Sequence, residues 1–140
     1  MATNVSRPLP LPDIDSRPFW QGAKERKLLI QQCAACRSFR WPPRDFCNVC
    51  YTPGGDWTQV SGRGVLLSWT VQHHLLHPGF ADDIPYVVLA VALEEDRRCQ
   101  LLGNPRRATA EELQAGMAME AVFEEASPEI TLVHWRPRRG

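Results

Sequence analysis

Apolar and polar residues alternate through the middle of the chain, which is the pattern of a β-strand with one buried face. Val65, Leu67, Trp69 and Val71 occupy every second position after two glycines, so a strand is predicted with these four side chains on one face. Tyr86–Leu93 is a continuous apolar run, short for a helix, and it predicts a buried central strand. Similar patterns predict further strands at residues 28–30, 98–103, 118–124 and 130–135.

Two short helices are predicted around these strands. Residues 15–27 combine capping residues, a proline in the first turn and an apolar side, although Gly22 weakens the helix. Thr109 and Glu112 form a capping box for a second helix, which Gly116 closes. The order of three strands, a short helix and two strands is that of an OB-fold, a five-stranded Greek-key barrel. We therefore predict a mainly β chain with a flexible proline-rich tail at residues 1–14, a short helix and rubredoxin-like zinc ribbon at residues 15–60, and the barrel at residues 61–140.

The strongest chemical signal is a pair of C-x-x-C motifs. Cys33 and Cys36 form the first motif and Cys47 and Cys50 form the second, with residues 37–46 between them. A two-residue gap lets one tight turn direct both sulfurs of a motif at the same point, and four thiolates satisfy a tetrahedral zinc ion. All four ligand positions are then taken, so none is open to substrate or water. The predicted zinc ion is structural, and no catalytic residue is predicted.

Other uses of these cysteines fit their surroundings less well. Two disulfides would need an oxidising compartment, and residues 1–12 lack the apolar run of a signal peptide. A redox motif is expected in a βαβ context, which residues 37–46 do not provide. Iron in the same sulfur cage is the remaining alternative, because rubredoxin sites use the same ligand set. Cys99, the fifth cysteine, is expected at a half-buried strand position.

The composition argues against some classes of function but does not identify one. Lys and Arg together number 16 and Asp and Glu number 16, so the formal net charge is zero. This balance argues against a general phosphate-binding surface, which usually carries a basic excess. No stretch approaches the roughly 20 apolar residues that cross a bilayer. With reduced cysteines, the expectation is a soluble, cytoplasmic protein that makes no membrane contact.

Taken together, these segments resemble a known family of OB-fold proteins with a rubredoxin-like zinc ribbon, which is associated with acyl-CoA enzymes. The resemblance runs from about Arg17 to Trp135. Besides the two cysteine motifs, it rests on PFWQGAKERKLLIQQC, on PPR at residues 42–44, and on VSGRGVLLSWTV, IPYVVLAVAL, LLGN and GMAMEAVFEE. Arg37 departs from the glycine that often follows the second cysteine, which is expected to alter the turn slightly and to leave the metal site intact.

The resemblance implies a small accessory subunit without a catalytic centre of its own. Members of the family are usually partnered with thiolase-fold proteins, which include condensing thiolases and retro-aldolases that trim steroid side chains. Some accompany hot-dog-fold enoyl-CoA hydratases instead. The resemblance further implies a hetero-oligomer in which the ribbon and the N-terminal helix dock on the partner. The barrel would then lie near the mouth where the acyl-CoA thioester enters, in lipid or steroid side-chain degradation.

Aromatic residues in small elements are the candidates for the partner interface. Trp20 and Trp41 lie in elements that bury little on their own, and aromatic side chains of this kind often anchor an interface. The loop of residues 77–85 is a second candidate contact. The predicted interface set is Phe19, Trp20, Trp41, His77 and Phe80.

Two other interpretations stay open. His73, His74 and His77 could form a second metal site, but successive residues of a strand face opposite sides, so a solvated barrel rim is favoured. Binding of single-stranded nucleic acid is the alternative function, since other OB-folds bind it and this chain has paired arginines at residues 97–98 and 106–107. It is disfavoured because the second and third strands of the barrel offer only Tyr86 for stacking on bases.

Overall fold

A computed structural model of the chain describes residues 5–139. Within this range the chain is mainly β, as predicted, with one α-helix and eight strands. In chain order they are α1 (Arg17–Lys24), β1 (Leu28–Gln32), β2 (Phe39–Arg40), β3 (Asp56–Val60), β4 (Arg63–Gln72), β5 (Tyr86–Leu93), β6 (Gln100–Gly103), β7 (Ala118–Glu125) and β8 (Thr131–Pro137). Single-turn 3₁₀ helices, Pro78–Phe80 and Ala110–Glu112, follow β4 and β6. No helix in the described part of the chain has the length and apolarity needed to cross a lipid bilayer.

The helix α1 is shorter than the predicted residues 15–27 and packs closely on β1. Ser16 precedes it and donates its backbone N–H to the Asp13 carboxylate at 2.8 Å, which fixes the turn before the helix. A Cβ added at Gly22 would lie 2.6 Å from the Leu29 side chain. The glycine that lowers the helix propensity is therefore also what lets α1 approach β1.

The proline-rich N-terminal segment has no helix or strand in residues 5–13. Residues 1–4 of the predicted tail lie outside the described residues, and its flexibility stays a prediction. Arg7 pairs with Asp83 and lies 5.5 Å from the ring centre of Phe80, so the segment crosses the loop that follows β4. A Cβ added at Gly79 in that loop would lie 2.7 Å from a backbone oxygen of the segment, which shows how closely the two pass.

Three short strands build a small sheet that carries the cysteine motifs. β1 lies between β2 and β3 and pairs antiparallel with both. Of these three strands, the sequence predicted only the start of β1. It did not predict β2, which has two residues, or β3, DWTQV, which is mostly polar and buries only Val60. The two missed strands are defined by their pairing with β1, which a local pattern does not reveal.

Five strands form the second sheet in the order β6-β5-β4-β7-β8, with every neighbouring pair antiparallel. This is the strand order of the predicted OB-fold, in which the first barrel strand pairs with the second and the fourth. The sheet curls until its two edges meet at one parallel bridge, where the Trp135 N–H donates to the Asn104 carbonyl at 3.2 Å. The Arg106 N–H donates to the Trp135 carbonyl at 2.8 Å. The barrel is thus half closed, and the line along which β6 faces β8 is called the seam below.

A β-bulge in β4 corrects the predicted face of that strand. The register with β5 shifts between Leu66 and Ser68, so that Leu67 is the extra residue. Leu66 is fully buried, whereas Leu67 is 40% exposed. The prediction that Val65 and Leu67 share the face of Trp69 and Val71 is therefore wrong. The inward positions are even-numbered before the bulge and odd-numbered after it.

One hydrophobic core extends across both sheets. Its buried members come from α1, from the small sheet and from the barrel: Phe19, Leu28, Ile30, Val60, Leu66, Leu89, Val91, Leu93, Cys99, Leu101, Leu113, Met119 and Trp135. Cys99 is more deeply buried than the predicted half-buried position, at 1% exposure. The boundary predicted at residue 60 therefore divides two sheets that share a core, and the division into domains stays a prediction.

We expect Leu66→Ala to lower the free energy of unfolding by about 2–5 kcal/mol, because it leaves a cavity in the core. Leu67→Ala, one residue away on the outward side of the bulge, should cost no more than about 0.5 kcal/mol. Urea denaturation of both variants measures the difference. An equal loss of stability in the two variants, or a larger loss for Leu67→Ala, would contradict the bulge and support the regular alternation predicted from the sequence.

Candidate metal centre and adjoining cavities

The two cysteine motifs adopt the same local structure. In the first, the Cys33 N–H donates to the Ser38 carbonyl at 2.9 Å and the Arg37 N–H donates to the Cys33 carbonyl at 3.0 Å. In the second, Cys47, Tyr51 and Thr52 repeat both bonds at 2.9 and 3.0 Å. Arg37 and Tyr51 also share a left-handed backbone, with φ of 64° and 65°. Arg37 thus occupies the conformation that a glycine would adopt without strain, and the turn keeps its shape.

The four motif cysteines converge on one point. Their sulfurs all lie within 4.8 Å of one another, and the Cys33–Cys50 and Cys36–Cys47 pairs are each 3.6 Å apart. A tetrahedral ion with metal–sulfur bonds of 2.3 Å requires sulfur–sulfur edges of about 3.8 Å. A disulfide would require about 2.05 Å, and all four cysteines are free. The donor set and its dimensions therefore suit a structural metal.

Hydrogen bonds surround the four sulfurs, and they lower the pKa of the two exposed cysteines, Cys36 and Cys50. In each motif the backbone N–H of the second cysteine lies 3.5 Å from the sulfur of the first, as a donor. The side-chain hydroxyl of Ser38 lies 3.2 Å from the Cys36 sulfur, and its hydrogen bond lowers the pKa of Cys36 to about 6. Thr52 bonds to Cys50 in the same way and lowers its pKa. A lower thiol pKa favours metal binding, because the thiolate is the ligand.

A buried arginine joins the loop between the motifs to the turn after them. Arg40 is 4% exposed and donates to the Gln31 side-chain oxygen at 2.8 Å and to the backbone carbonyls of Arg44 and Gly54. A Cβ added at Gly55 would lie 2.9 Å from the same guanidinium, so this position leaves room for it. The ribbon is therefore held by a hydrogen-bonded side chain as well as by its cysteines.

The structure brings four of the five predicted interface residues to one cavity. Phe19, Trp20, Trp41 and Phe80 line an apolar cavity of about 500 Å³, which opens beside the 68%-exposed Leu102. The ring centroid of Phe19 lies 5.0 Å from that of Trp20, edge to face, and 4.6 Å from that of Trp41. Residues of β5, β6 and β8 form the opposite wall, along the seam.

Two members of the predicted set, Phe19 and His77, differ from the rest in position. Phe19 is only 4% exposed, so it supports the two tryptophans from beneath. His77 lies outside the apolar cavity, and its Nδ1 accepts the Gly79 N–H at 3.0 Å at the start of a 3₁₀ turn. Among the described residues, the motif cysteines are the one group of three or more His, Cys, Asp or Glu side chains arranged to hold a metal, so the histidines of this region do not form such a site.

A second, polar cavity adjoins the apolar one. Its volume is about 800 Å³, and charged side chains of both signs line it, among them Arg7, Asp83, Arg106 and Glu124. Phe80, Tyr86 and Asn104 line both cavities, so the two meet along these residues.

Sequence reasoning missed the histidine at this junction. His134 on β8 is 7% exposed and lines the apolar cavity. Its Nδ1 accepts the Asn104 N–H at 3.1 Å, and its Nε2 lies 4.0 Å from Glu124, which Arg106 holds through two hydrogen bonds of 2.8 and 2.9 Å. Burial, followed by the positive charge of Arg106, lowers the pKa of His134. The only signal in the sequence is a polar residue within an apolar strand, ITLVHW.

Two family models match the chain in the order of its two sheets. A model of the rubredoxin-like zinc ribbon domain of ChsH2 matches residues 20–54. A model of the C-terminal OB-fold domain of ChsH2 matches residues 57–124.

The chain matches two relatives over different shares of their length. A protein of Thermomonospora curvata, described as a probable enoyl-CoA hydratase alpha subunit, is 37% identical over 131 residues. The match covers 94% of this chain but only 40% of that protein. A DUF35 domain-containing scaffold protein of Pyrococcus furiosus is 28% identical over 104 residues, which is 74% of each chain.

Solved structures share the fold. A chain of the Ltp2-ChsH2(DUF35) aldolase matches with a TM-score of 0.82 and 36% identity, covering 92% of this chain and 98% of that one. A DUF35-family protein of unknown function from Sulfolobus solfataricus matches with a TM-score of 0.60 and 15% identity, covering 89% and 86%. This second likeness shows the fold alone.

Replacing Cys47 by serine should release the bound metal and disorder the ribbon, because metal binding and local folding are one process in small sites of this kind. Metal analysis of the purified variant should fall from about one ion per chain to about none. Amide NMR signals of residues 33–52 should lose their dispersion.

Cys99→Ala is the matched control, since Cys99 is a buried cysteine outside the cluster. It should keep the full metal content. A Cys47→Ser protein that also kept its metal would show that Cys47 is not a ligand.

Stability should fall in mild acid because of His134. Its pKa is lowered in the folded chain, so the unfolded chain takes up a proton first and stability declines as the pH falls below about 6.5. His134→Gln should flatten the dependence of the unfolding free energy on pH between about 6.5 and 5, as measured by urea denaturation at a series of pH values. The exposed His74 provides a control, and His74→Gln should leave the slope unchanged. Identical slopes in all three proteins would contradict the assignment.

Proposed function

The chain belongs to the ChsH2 family of proteins, in which a rubredoxin-like zinc ribbon precedes an OB-fold domain, and we propose that it is a non-catalytic accessory subunit of a thiolase-like enzyme. The partner would be a thiolase or a retro-aldolase that acts on acyl-CoA thioesters. Carbon–carbon bond cleavage or condensation would take place in the active site of the partner. The accessory subunit would stabilise that enzyme and shape the route of its substrate.

One observation carries this proposal: the chain matches 98% of a chain of the Ltp2-ChsH2(DUF35) aldolase at 36% identity. The match therefore includes the ribbon, the barrel and their arrangement, which the TM-score of 0.82 measures. The scaffold protein of Pyrococcus furiosus supports a role in assembly, since it is named for one. Both relatives favour a hetero-oligomer.

The metal in this proposal is zinc, held by Cys33, Cys36, Cys47 and Cys50. Two of the sulfur–sulfur distances are 3.6 Å and all lie within 4.8 Å, which suits the size of a tetrahedral zinc site. Because the four thiolates fill every ligand position, the role of the ion would be structural. Iron in the same cage is the less favoured alternative. The ion would set the position of the ribbon, and through the ribbon it would set the position of Trp41.

The proposed partner interface surrounds the opening of the apolar cavity. Trp20, Trp41 and Phe80 line this cavity, and the strongly exposed Leu102 lies at its opening. Phe19 would act from beneath as a support, and His77 would lie at the rim. Tryptophan is among the residues that most often anchor an interface. An acyl-CoA substrate would lie near this interface, in lipid or steroid side-chain degradation in the cytoplasm.

A second candidate is a subunit of a hot-dog-fold enoyl-CoA hydratase. The observation that favours it is the 37% identity with a probable enoyl-CoA hydratase alpha subunit. The chain spans 40% of the length of that relative, so the hydratase activity of the relative is itself a proposal for this chain. The two candidates differ in the partner and agree on the accessory role.

Co-expression with the products of neighbouring genes tests the proposed function. A tagged copy of the chain should co-purify with a thiolase-like protein as one complex in size-exclusion chromatography. Acyl-CoA turnover by that partner should fall when the chain is left out. Co-purification with a hydratase instead would favour the second candidate.

A charge placed at the opening of the cavity should separate the subunits. Leu102→Glu should reduce co-purification at least about ten-fold, because it buries a carboxylate in an apolar contact. Leu67→Glu introduces the same charge on the outward side of the β4 bulge and should leave the complex intact. A chain that elutes alone, with partner activity indifferent to it, would refute the accessory role.

A further inference from the structure

The tautomer of His134 follows from its neighbours. Nδ1 accepts a hydrogen bond from the backbone N–H of Asn104 at 3.1 Å, so Nδ1 carries no proton. The proton of the neutral ring is then on Nε2, which makes Nε2 a hydrogen-bond donor. Arg106 stands close by and opposes a second proton on the ring, as burial does.

This donor has no partner among residues 5–139. The nearest acidic oxygen, on Glu124, is 4.0 Å away, beyond hydrogen-bonding distance. The carboxylate of Glu124 is held instead by the paired bonds from Arg106. Within the described range, the side-chain nitrogens that are sealed from solvent and lack a partner are Arg40 Nη1 and Trp135 Nε1. His134 Nε2 is not among these sealed atoms. The Nε2–H is therefore open to whatever enters the space beside it.

His134 is one of the residues that line the apolar cavity. Its volume of about 500 Å³ lies within the range of small-molecule sites, which is roughly 300–1,000 Å³. Its walls are aromatic and aliphatic side chains from α1, the ribbon and the seam. A few polar groups in an apolar wall are the usual means by which such sites orient a ligand, and His134 supplies one of them here.

We propose that the apolar cavity binds a small apolar carbonyl compound, whose oxygen accepts a hydrogen bond from His134 Nε2. The donor requires an acceptor, which excludes a pure hydrocarbon as the preferred ligand. The carboxylate of Glu124 at 4.0 Å disfavours an anionic oxygen at the same place, and Arg106 beside it disfavours a cation. A neutral carbonyl oxygen satisfies all three conditions.

The position of His134 also gives the ligand a direction. Asn104, whose N–H donates to His134 Nδ1, lines both cavities, so a carbonyl at His134 would stand near the line where the apolar cavity meets the polar one. Its hydrocarbon part would lie against Trp20 and Trp41, and any polar substituent would extend toward Arg106. Residues of this chain line the whole site, so ligand binding can be measured on the chain without the proposed partner enzyme.

Benzophenone and diphenylmethane are suitable probes, because the two compounds differ only in a carbonyl group that replaces a methylene group. The full-length, metal-loaded chain is titrated with each compound and followed by ¹H–¹⁵N NMR. Both compounds should shift the backbone amides of Leu102 and Gly103 at the cavity wall. Only benzophenone should shift the Nε2–H signal of His134.

The energetic test compares the two compounds in two proteins. The ratio of their affinities should fall about ten-fold, in favour of diphenylmethane, when His134 is replaced by phenylalanine, since one buried hydrogen bond is worth about 1.4 kcal/mol. This comparison cancels the unequal hydration of the compounds. His74→Phe, at an exposed histidine, should leave the ratio unchanged.

Two outcomes would overturn the proposal. If neither compound shifts the cavity amides, the cavity does not bind small ligands and is left to the side chains of a partner protein. If both bind and the Nε2–H signal of His134 is unmoved by benzophenone, the cavity is only an apolar space. The NMR signal of the unaltered protein decides the matter even if His134→Phe fails to fold. Neither outcome bears on co-purification with a thiolase-like enzyme.

Discussion

The structure of the ribbon depends on a cation that offsets the mutual repulsion of four thiolates. Sulfurs held 3.6–4.8 Å apart repel one another strongly once they are charged, and a divalent ion at their centre reverses the sign of that interaction. Each motif supplies a backbone N–H donor to its first sulfur and a hydroxyl group beside its second sulfur, so the protein contributes to stabilising the same charge. The loop between the motifs is thereby fixed at both ends, and this loop carries Trp41.

The barrel supplies the opposite surface, and the gap between its edges explains the cavities. An OB-fold sheet curls on itself, but here β6 and β8 meet at one bridge, next to Asn104. The helix α1 contacts β8, and the aromatic rings of Phe19 and Trp20 cover part of the seam. The ribbon, the helix and the half-closed barrel therefore enclose a space that none of them would form alone. The shared core keeps these three parts in a constant arrangement.

Features with a local cause were predictable from the sequence. The spacing of the cysteines defined their convergence, the apolar run defined β5 at its observed bounds, and Glu112 accepts the Thr109 N–H as its spacing in the chain suggested. Features that depend on distant residues were not. The bulge at Leu67 arises from the register with β5, and β2 and β3 exist only through β1. In the sequence, Phe19, Trp20, Trp41 and Phe80 are separate interface candidates, and only the fold shows that they line one cavity. The sequence did not single out His134, because one polar residue in a strand forms no motif with other residues at a fixed spacing.

The two cysteine motifs are alike in one further respect, which bears on the exchange of the metal. The first cysteine of each motif, Cys33 and Cys47, is buried, and the second, Cys36 and Cys50, is exposed. A chelator or an oxidant approaching from solvent therefore meets the outer pair of sulfurs first, while the inner pair still holds the ion. Loss of the metal would proceed in two stages, through an intermediate held by two ligands. The slower stage would determine how long the ribbon survives when the metal supply or the redox conditions change.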